Sequence, residues 1–251
     1  MSIPPPSAAG WIVPFYDFQE RLIGCYSAPP HATHVEAARR LRGQYPQATR
    51  LLELGAGGGQ FAVSAAAEGF TVTALELRAA GVAHTLRLAR EYGVTLNGIQ
   101  GDFYAADPGG PLDLIVYWDG FGIGSDDDQR RLLTRMAGWL APQGHAVLDI
   151  YTPWYWASHA GYTRHTDTYT QVYGFDSATS RMTDTYVEPG GQRHSQSLRC
   201  YSPDDLRRLL AGTGLRLARA EPGGMFDTAT GWHPQADWAS CMTFQAVLVP
   251  E

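Results

Sequence analysis

The feature that most constrains this chain is a run of glycines set between a strand and a helix. Leu51-Leu52-Glu53-Leu54 is apolar enough for a buried strand, and Gly55-Ala56-Gly57-Gly58-Gly59 follows with no spacer. Gln60 then opens a helical pattern that Gly69 stops. Glycines let a backbone turn sharply and let a ligand approach the main chain closely. A second strand, residues 70–75, leads into Glu76, nineteen residues beyond Gly57. An acidic residue about 20 positions after a glycine loop is placed to accept hydrogen bonds from ribose hydroxyls. Strand, loop, helix and acid together point to a nucleoside-containing cofactor on an open α/β sheet.

The flanking pattern agrees. Residues 1–14 read as a flexible Pro-rich lead, and two helices are expected between Phe15 and Gly43, broken at Pro29-Pro30. A helix with Val82, Leu86 and Ala89 on its buried face, a weak strand over 95–100 and a strong apolar strand over 112–117 follow. Asp126-Asp127-Asp128 suits a helix N-terminus, with Leu132, Leu133, Met136 and Leu140 on its inner face. Pro142-Gln143-Gly144 is expected to turn the chain into a strand over 146–150. Alternating strands and helices predict a parallel, doubly wound sheet. After Ile150 the chain becomes aromatic. Three β-rich stretches between Thr163 and Tyr201, separated at Gly174-Phe175-Asp176 and Pro189-Gly190-Gly191, predict an antiparallel insert. Ser202 is a candidate N-cap with Pro203 at the first helical position. Strands over 215–218 and 243–249 close the chain. The expected division is a helical cap (1–44), a cofactor-binding core (45–150), the aromatic β insert (151–201) and a C-terminal helix with a final strand pair (202–251).

Composition narrows the chemistry. All 19 basic residues are arginine. Without lysine there is no Schiff-base enzyme and no Walker-type phosphate loop. The net charge of -6 argues against nucleic acid as partner. No apolar run reaches the roughly 18 residues of a membrane helix, and M-S-I-P-P-P lacks the pattern of a secretory signal. Cys25, Cys200 and Cys241 are too few and too scattered for a zinc site. A cytoplasmic protein with free thiols and a small-molecule substrate is expected, with no membrane partner and no metal.

A dinucleotide loop, G-x-G-x-x-G/A, fits only loosely, from Gly57 to Ala62. The stretch from Glu53 to Gly59 is a better match to E/D-x-G-x-G-x-G and resembles the class I S-adenosylmethionine-dependent methyltransferases, of small-molecule type. Gly101-Asp102-Phe103, Leu112-Asp113-Leu114-Ile115-Val116 and Leu140-Ala141-Pro142-Gln143-Gly144 resemble later family segments, with Gln143 in place of a glycine. The resemblance covers roughly residues 45–150 and 200–250. It implies a Rossmann-like seven-stranded sheet with helices on both faces, here carrying the antiparallel β insert and the N-terminal helices. It implies S-adenosylmethionine as cofactor and S-adenosylhomocysteine as product. Gly55, Ala56 and Gly57 would approach the methionine part and Glu53 its amino end. Glu76 would take the ribose, Leu77 would pack on the adenine, Asp102 would accept from its amino group and Phe103 would flank it. Tyr117 and Trp118 would line the methyl-transfer site.

An amine or hydroxyl acceptor has to lose a proton. Candidate bases are Asp119, His159 and His165, with His194 behind them. Asp119 leads because it follows the fourth strand, where ligands of open sheets gather; a structural role is the plain alternative for each. Trp154, Tyr169 and Tyr173 of the insert, with Tyr16 and Tyr26 of the cap, are candidate walls for a flat aromatic or heterocyclic acceptor. The insert is also a candidate homodimer surface or a plain scaffold. The Arg/Ala/Gly-rich composition suggests bacterial secondary metabolism. Three other functions stay open: a non-methylating reaction on the same fold (ring closure or elimination), an NAD-dependent oxidoreductase, and a non-catalytic cofactor-binding subunit.

Overall fold

The computed structural model describes residues 10–227 and 229–251. Residues 1–9 of the expected lead lie outside the described residues, and helix α1 (Ile12–Ile23) already occupies its last part. There follow α2 (Ala32–Gln44), β1 (Arg50–Leu54), α3 (Gln60–Ala67), β2 (Thr71–Glu76), α4 (Ala79–Glu91), β3 (Asn97–Gln100), β4 (Leu112–Tyr117), α5 (Asp126–Trp139) and β5 (Leu140–Tyr151). The insert comprises α6 (Pro153–Ser158), β6 (Thr163–His165), β7 (Thr170–Asp176), β8 (Arg181–Val187) and β9 (Arg193–Arg199). The chain ends with α7 (Pro203–Leu210), β10 (Leu215–Pro222), β11 (Met225–Asp227), β12 (Gly231–His233) and β13 (Thr243–Pro250).

The large sheet has seven strands in the order β10-β13-β5-β4-β1-β2-β3. The five strands from β5 to β3 are parallel, and β13 runs antiparallel to both its neighbours. The fold is therefore the Rossmann-like methyltransferase arrangement. Strands buried on both faces account for the near-continuous apolar runs. Along β1 and β4, Leu52, Leu54, Ile115 and Tyr117 pack toward Leu132, Leu133 and Leu206 of α5 and α7. Leu51, Leu114 and Val116 pack toward Leu41 and Phe61 of α2 and α3. The insert forms a separate four-stranded sheet, β6-β7-β8-β9. No described helix is long and apolar enough to cross a membrane.

Several local expectations need correction. Pro142-Gln143-Gly144 does not end a turn before a strand; it lies inside β5, where pairing slips from Leu112–Leu140 to Leu114–His145. The extra residues bulge outward, and a Cβ at Gly144 would sit 2.7 Å from the Leu112 carbonyl oxygen. Gly174-Phe175-Asp176 stays within β7, with Gly174 opposite Thr183. The reversal comes later, where the Asp176 carboxylate accepts from Ala178 N–H at 3.0 Å and Thr179 Oγ1 at 2.7 Å. On α4 the buried residues are Gly81, His84, Thr85, Leu88 and Ala89, while Leu86 faces solvent. The apolar spacing misled because this helix turns polar side chains toward the glycine loop. Ser202 does cap α7, accepting from the Asp205 N–H at 3.1 Å.

Candidate active site

The strand order reverses between β1 and β4. Leu54 and Tyr117 pair at their C-terminal ends, so the loops after both strands open side by side. An open α/β sheet leaves its ligand crevice at this point.

The glycine loop is shaped from both sides. Gly57 has φ 57°, the left-handed region where glycine alone carries no steric penalty. Its N–H donates to Glu76 Oε2 at 2.9 Å, and Arg78 N–H donates to Glu76 Oε1 at 2.9 Å. Two backbone donors thus fix a carboxylate that is only 7% exposed. Burial raises the Glu76 pKa, and the two N–H groups and the Arg78 charge oppose that rise. At Gly58 a Cβ would overlap the Tyr26 carbonyl. The segment after α1 is tied down there: Gln60 Nε2 donates to the Cys25 and Ala28 carbonyls at 3.0 and 2.9 Å. His84 reaches the Gly58 carbonyl at 2.6 Å and the Ser27 carbonyl at 3.0 Å.

Glu53 is 4% exposed, and its Oε2 has no hydrogen-bond partner among the described residues. Burial, then repulsion from Glu76, pushes its carboxyl well above the usual range. A buried acceptor left without a donor fits a donor supplied by a ligand.

Helix α1 serves both the small sheet and the crevice. Phe15 and Phe18 pack on Tyr186 of the small sheet, and Phe18 stacks on His194 at 3.6 Å. Ile12, Tyr16 and Gln19 border a cavity of about 140 Å³ floored by Gly55, Gly57, Glu76 and Tyr117, and Gln19 Nε2 also donates to the Tyr186 hydroxyl at 3.3 Å. The Tyr16 hydroxyl reaches Gln196 of β9 at 3.4 Å. A second chamber of about 590 Å³ continues past the loop between α2 and Trp118. A third, of about 630 Å³, lies between α2, the end of β5 and the β11–β12 hairpin.

Asp119 lines all three. It has φ 52°, a conformation that Asp tolerates better than most residues and that tends to occur at functional sites. Tyr151 donates its hydroxyl to Asp119 Oδ1. Solvent reaches Asp119 through the chambers, yet protein surrounds it. Burial, then the charges of Asp149 and Asp184, push its pKa up to about 7. Burial likewise lifts Asp149 to about 6, against the Gln245 hydrogen bond and the Arg40 charge.

Most sequence-predicted residues meet at this crevice. Gly55, Gly57, Glu76, Leu77, Phe103, Tyr117, Trp118 and Asp119 line the first cavity beneath Tyr16 and Tyr26. Glu53 and Ala56 line the second chamber. Asp102 does not join them: it is exposed on the loop after β3, its Oδ1 accepting from Tyr104 N–H at 2.8 Å. His159 stacks on Tyr155 at 3.9 Å, His165 is exposed beside Thr170, and neither lines these chambers. Trp154, Tyr169 and Tyr173 are absent from the same walls. Trp154 and Tyr173 pack around Tyr155 and Trp156, and Tyr169 packs against Tyr186. Aromatic side chains of the insert bury one another and α1 instead of roofing the crevice.

Sequence reasoning missed Asp149, Tyr151, Arg40 and His84. Asp149 carried a signal, a lone charge in the apolar run Ala146-Val147-Leu148-Asp149-Ile150. The others carried none.

Over residues 31–220 the chain matches the family model described as a methyltransferase domain. No curated protein matches it. Among solved structures, the CcbJ methyltransferase from Streptomyces caelestis aligns with a TM-score of 0.71 at 20% identity, covering 89% of this chain and 92% of that one. An S-adenosylmethionine-dependent methyltransferase from Clostridium acetobutylicum aligns with a TM-score of 0.70 at 14% identity, covering 95% and 98%. S-adenosylmethionine-bound CalS10, an amino pentose methyltransferase from Micromonospora echinaspora, aligns with a TM-score of 0.57 at 23% identity, covering 94% and 96%. These are likenesses of fold.

Proposed function

Because this chain belongs to the methyltransferase-domain family, we propose that it is an enzyme that uses S-adenosylmethionine to methylate a small molecule at the β1–β4 crevice. The observation that carries this reading is the clamp of Gly57 and Arg78 N–H groups on Glu76, beside the orphan acceptor of Glu53. The donor set suits the cofactor. Glu76 keeps lone pairs for ribose hydroxyls, Leu77 and Phe103 offer apolar faces for adenine, and Glu53 offers its free oxygen to an ammonium. An NAD pyrophosphate would instead meet Glu53, Asp119 and Asp149 against Arg40 around the glycine loop, a field that favours a cation over an anion.

When bound, the cofactor supplies a methyl group on a positively charged sulfonium, already activated for transfer. The chain positions, shields and deprotonates. Tyr117 and Trp118 present aromatic surface suited to a cation. Tyr16, Gln19 and Tyr26 close the roof and exclude water. Asp119 takes the acceptor's proton; its pKa of about 7 matches a base working near neutrality. The fold relatives named above include an amino pentose methyltransferase, which supports a role in natural-product chemistry.

The test is a structure with S-adenosylhomocysteine. The ribose is expected at Glu76 and the amino group at Glu53. Occupancy elsewhere, or none at saturating ligand, would refute the assignment.

A further inference from the structure

The third chamber, about 630 Å³, is large enough for a small-molecule acceptor, and it meets the cofactor crevice at Asp119. Its charged wall residues are Glu36, Asp119, Asp149 and Glu221 against Arg40. Gln44, Gln235 and Gln245 add amides to the wall, and Trp232 on it is 54% exposed. The chamber thus carries a surplus of acid on a wall that also includes Tyr151, Met242 and Trp232.

The carboxylates keep unused acceptor capacity. Among the described residues, Asp149 has one side-chain donor, Gln245 Nε2 at the limiting distance of 3.5 Å. Asp119 has the Tyr151 hydroxyl. A separate observation points the same way. The adjoining chamber shares Asp119 and Asp149, and Glu53, 4% exposed with its Oε2 unpartnered, lines it. Three carboxylates thus surround one junction. The cofactor's ammonium would neutralise one of them. Arg40 lines both chambers and offsets a second, and an uncharged or acidic acceptor would leave the remaining acid without a counter-charge. A basic amine brings that counter-charge, and the field of such a cleft concentrates cations.

We propose that the acceptor is a polar small molecule bearing a basic amine, held through its ammonium by Asp149 in the chamber between α2 and the β11–β12 hairpin, with the reacting nitrogen at Asp119. This rests on the methyl-transfer reading above. The ammonium gives one proton to the Asp119 carboxylate. The freed nitrogen lone pair forms the N–C bond as the C–S bond breaks, and that pair stays on sulfur. The product is the methylated ammonium. Trp232 lines the same chamber and offers an aromatic face to the amine-bearing molecule held there. The hairpin that carries Trp232 lies beyond residue 220, outside the matched family domain.

The test is equilibrium binding with S-adenosylhomocysteine present, read by calorimetry and thermal shift. The probes are a panel of small amines paired with their hydroxyl isosteres, among them glucosamine with glucose and 2-aminocyclohexanol with cyclohexanediol. Binders are expected to be amines, each favoured over its hydroxyl partner by about tenfold or more. Asp149→Asn is expected to abolish that preference while S-adenosylhomocysteine, its amino group held by Glu53, still binds. Should that variant fail to fold, Trp232→Ala, at an exposed side chain, is expected to weaken amine binding about threefold. If S-adenosylhomocysteine itself does not bind, the methyl-transfer reading falls. If it binds and the panel yields no amine preference, or the preference survives Asp149→Asn, or an unfolded Asp149→Asn is accompanied by an unweakened Trp232→Ala, the amine proposal falls alone.

Discussion

The Gly57 amide donates to Glu76 Oε2 at 2.9 Å, across nineteen residues of sequence. One hydrogen bond therefore ties the loop after β1 to the end of β2 and holds the carboxylate in place before any ligand arrives. The glycine spacing and the acid are one device: the loop must turn at Gly57 for its N–H to reach Glu76.

Glu76→Ala removes that acceptor and the ribose partner together. A hydrogen bond to a charged group contributes about 1.5–3 kcal/mol, so S-adenosylhomocysteine affinity should fall by roughly ten- to a hundredfold. Glu76→Gln should recover part of the loss. Calorimetry on both variants decides; unchanged affinity in Glu76→Ala would remove the residue from the site.

Gly58→Ala should act through the N-terminal segment. The new Cβ meets a backbone carbonyl, Tyr26 C=O, which no rotamer change can relieve. Overpacking of this kind costs about 1–3 kcal/mol. Urea denaturation should show that loss, and limited proteolysis should cut faster near residues 24–30. Wild-type stability with wild-type protection would show that the contact is not retained in solution.

Asp119 makes stability depend on pH in a defined direction. Its folded-state pKa is raised from 3.8 to about 7, so the folded protein binds the proton more tightly than the unfolded chain. Stability from this group is present below about pH 4 and falls as pH rises toward 7. Asp119→Asn removes that slope. Relative to wild type, the variant should therefore gain stability between pH 4.5 and pH 8 in urea titrations. Parallel pH curves for the two proteins would contradict the assignment. In turnover, wild type should gain rate as Asp119 ionises near pH 7.

The aromatic insert should behave as scaffold. Trp156 is 3% exposed among Tyr151, Tyr155 and Tyr173. Trp156→Ala should cost about 3–5 kcal/mol and leave S-adenosylhomocysteine affinity of the folded fraction near wild type. Lost affinity without lost stability would place this cluster in the binding site after all.

What could be read from sequence follows from how local the signal is. The glycine loop, Glu76 and the Ser202 cap are short-range patterns, and each has a direct backbone consequence. Asp149 meets Asp119 only because β5 pairs with β4, with Leu148 opposite Tyr117; thirty residues of sequence hide that adjacency. The roles along α1 were invisible for a similar reason: Phe15 and Tyr16 look alike in sequence, but Phe15 is buried against the small sheet while Tyr16 touches that sheet and also lines the crevice. Aromatic enrichment in the insert suggested a pocket because large rings serve both pockets and cores, and only their mutual packing tells them apart. The three-residue strands β11 and β12 are too short to show a period.

The central claim is that the β1–β4 crevice binds the methyl donor. Its most direct test is thermal melting of the purified chain with S-adenosylhomocysteine, and separately with NAD. At about 100 times its Kd, a ligand of the folded state adds about 2.7 kcal/mol, a shift of roughly 5 °C or more for a chain of this size. The account predicts that shift with S-adenosylhomocysteine, its loss in Glu76→Ala, and none with NAD. Stabilisation by NAD alone would contradict it.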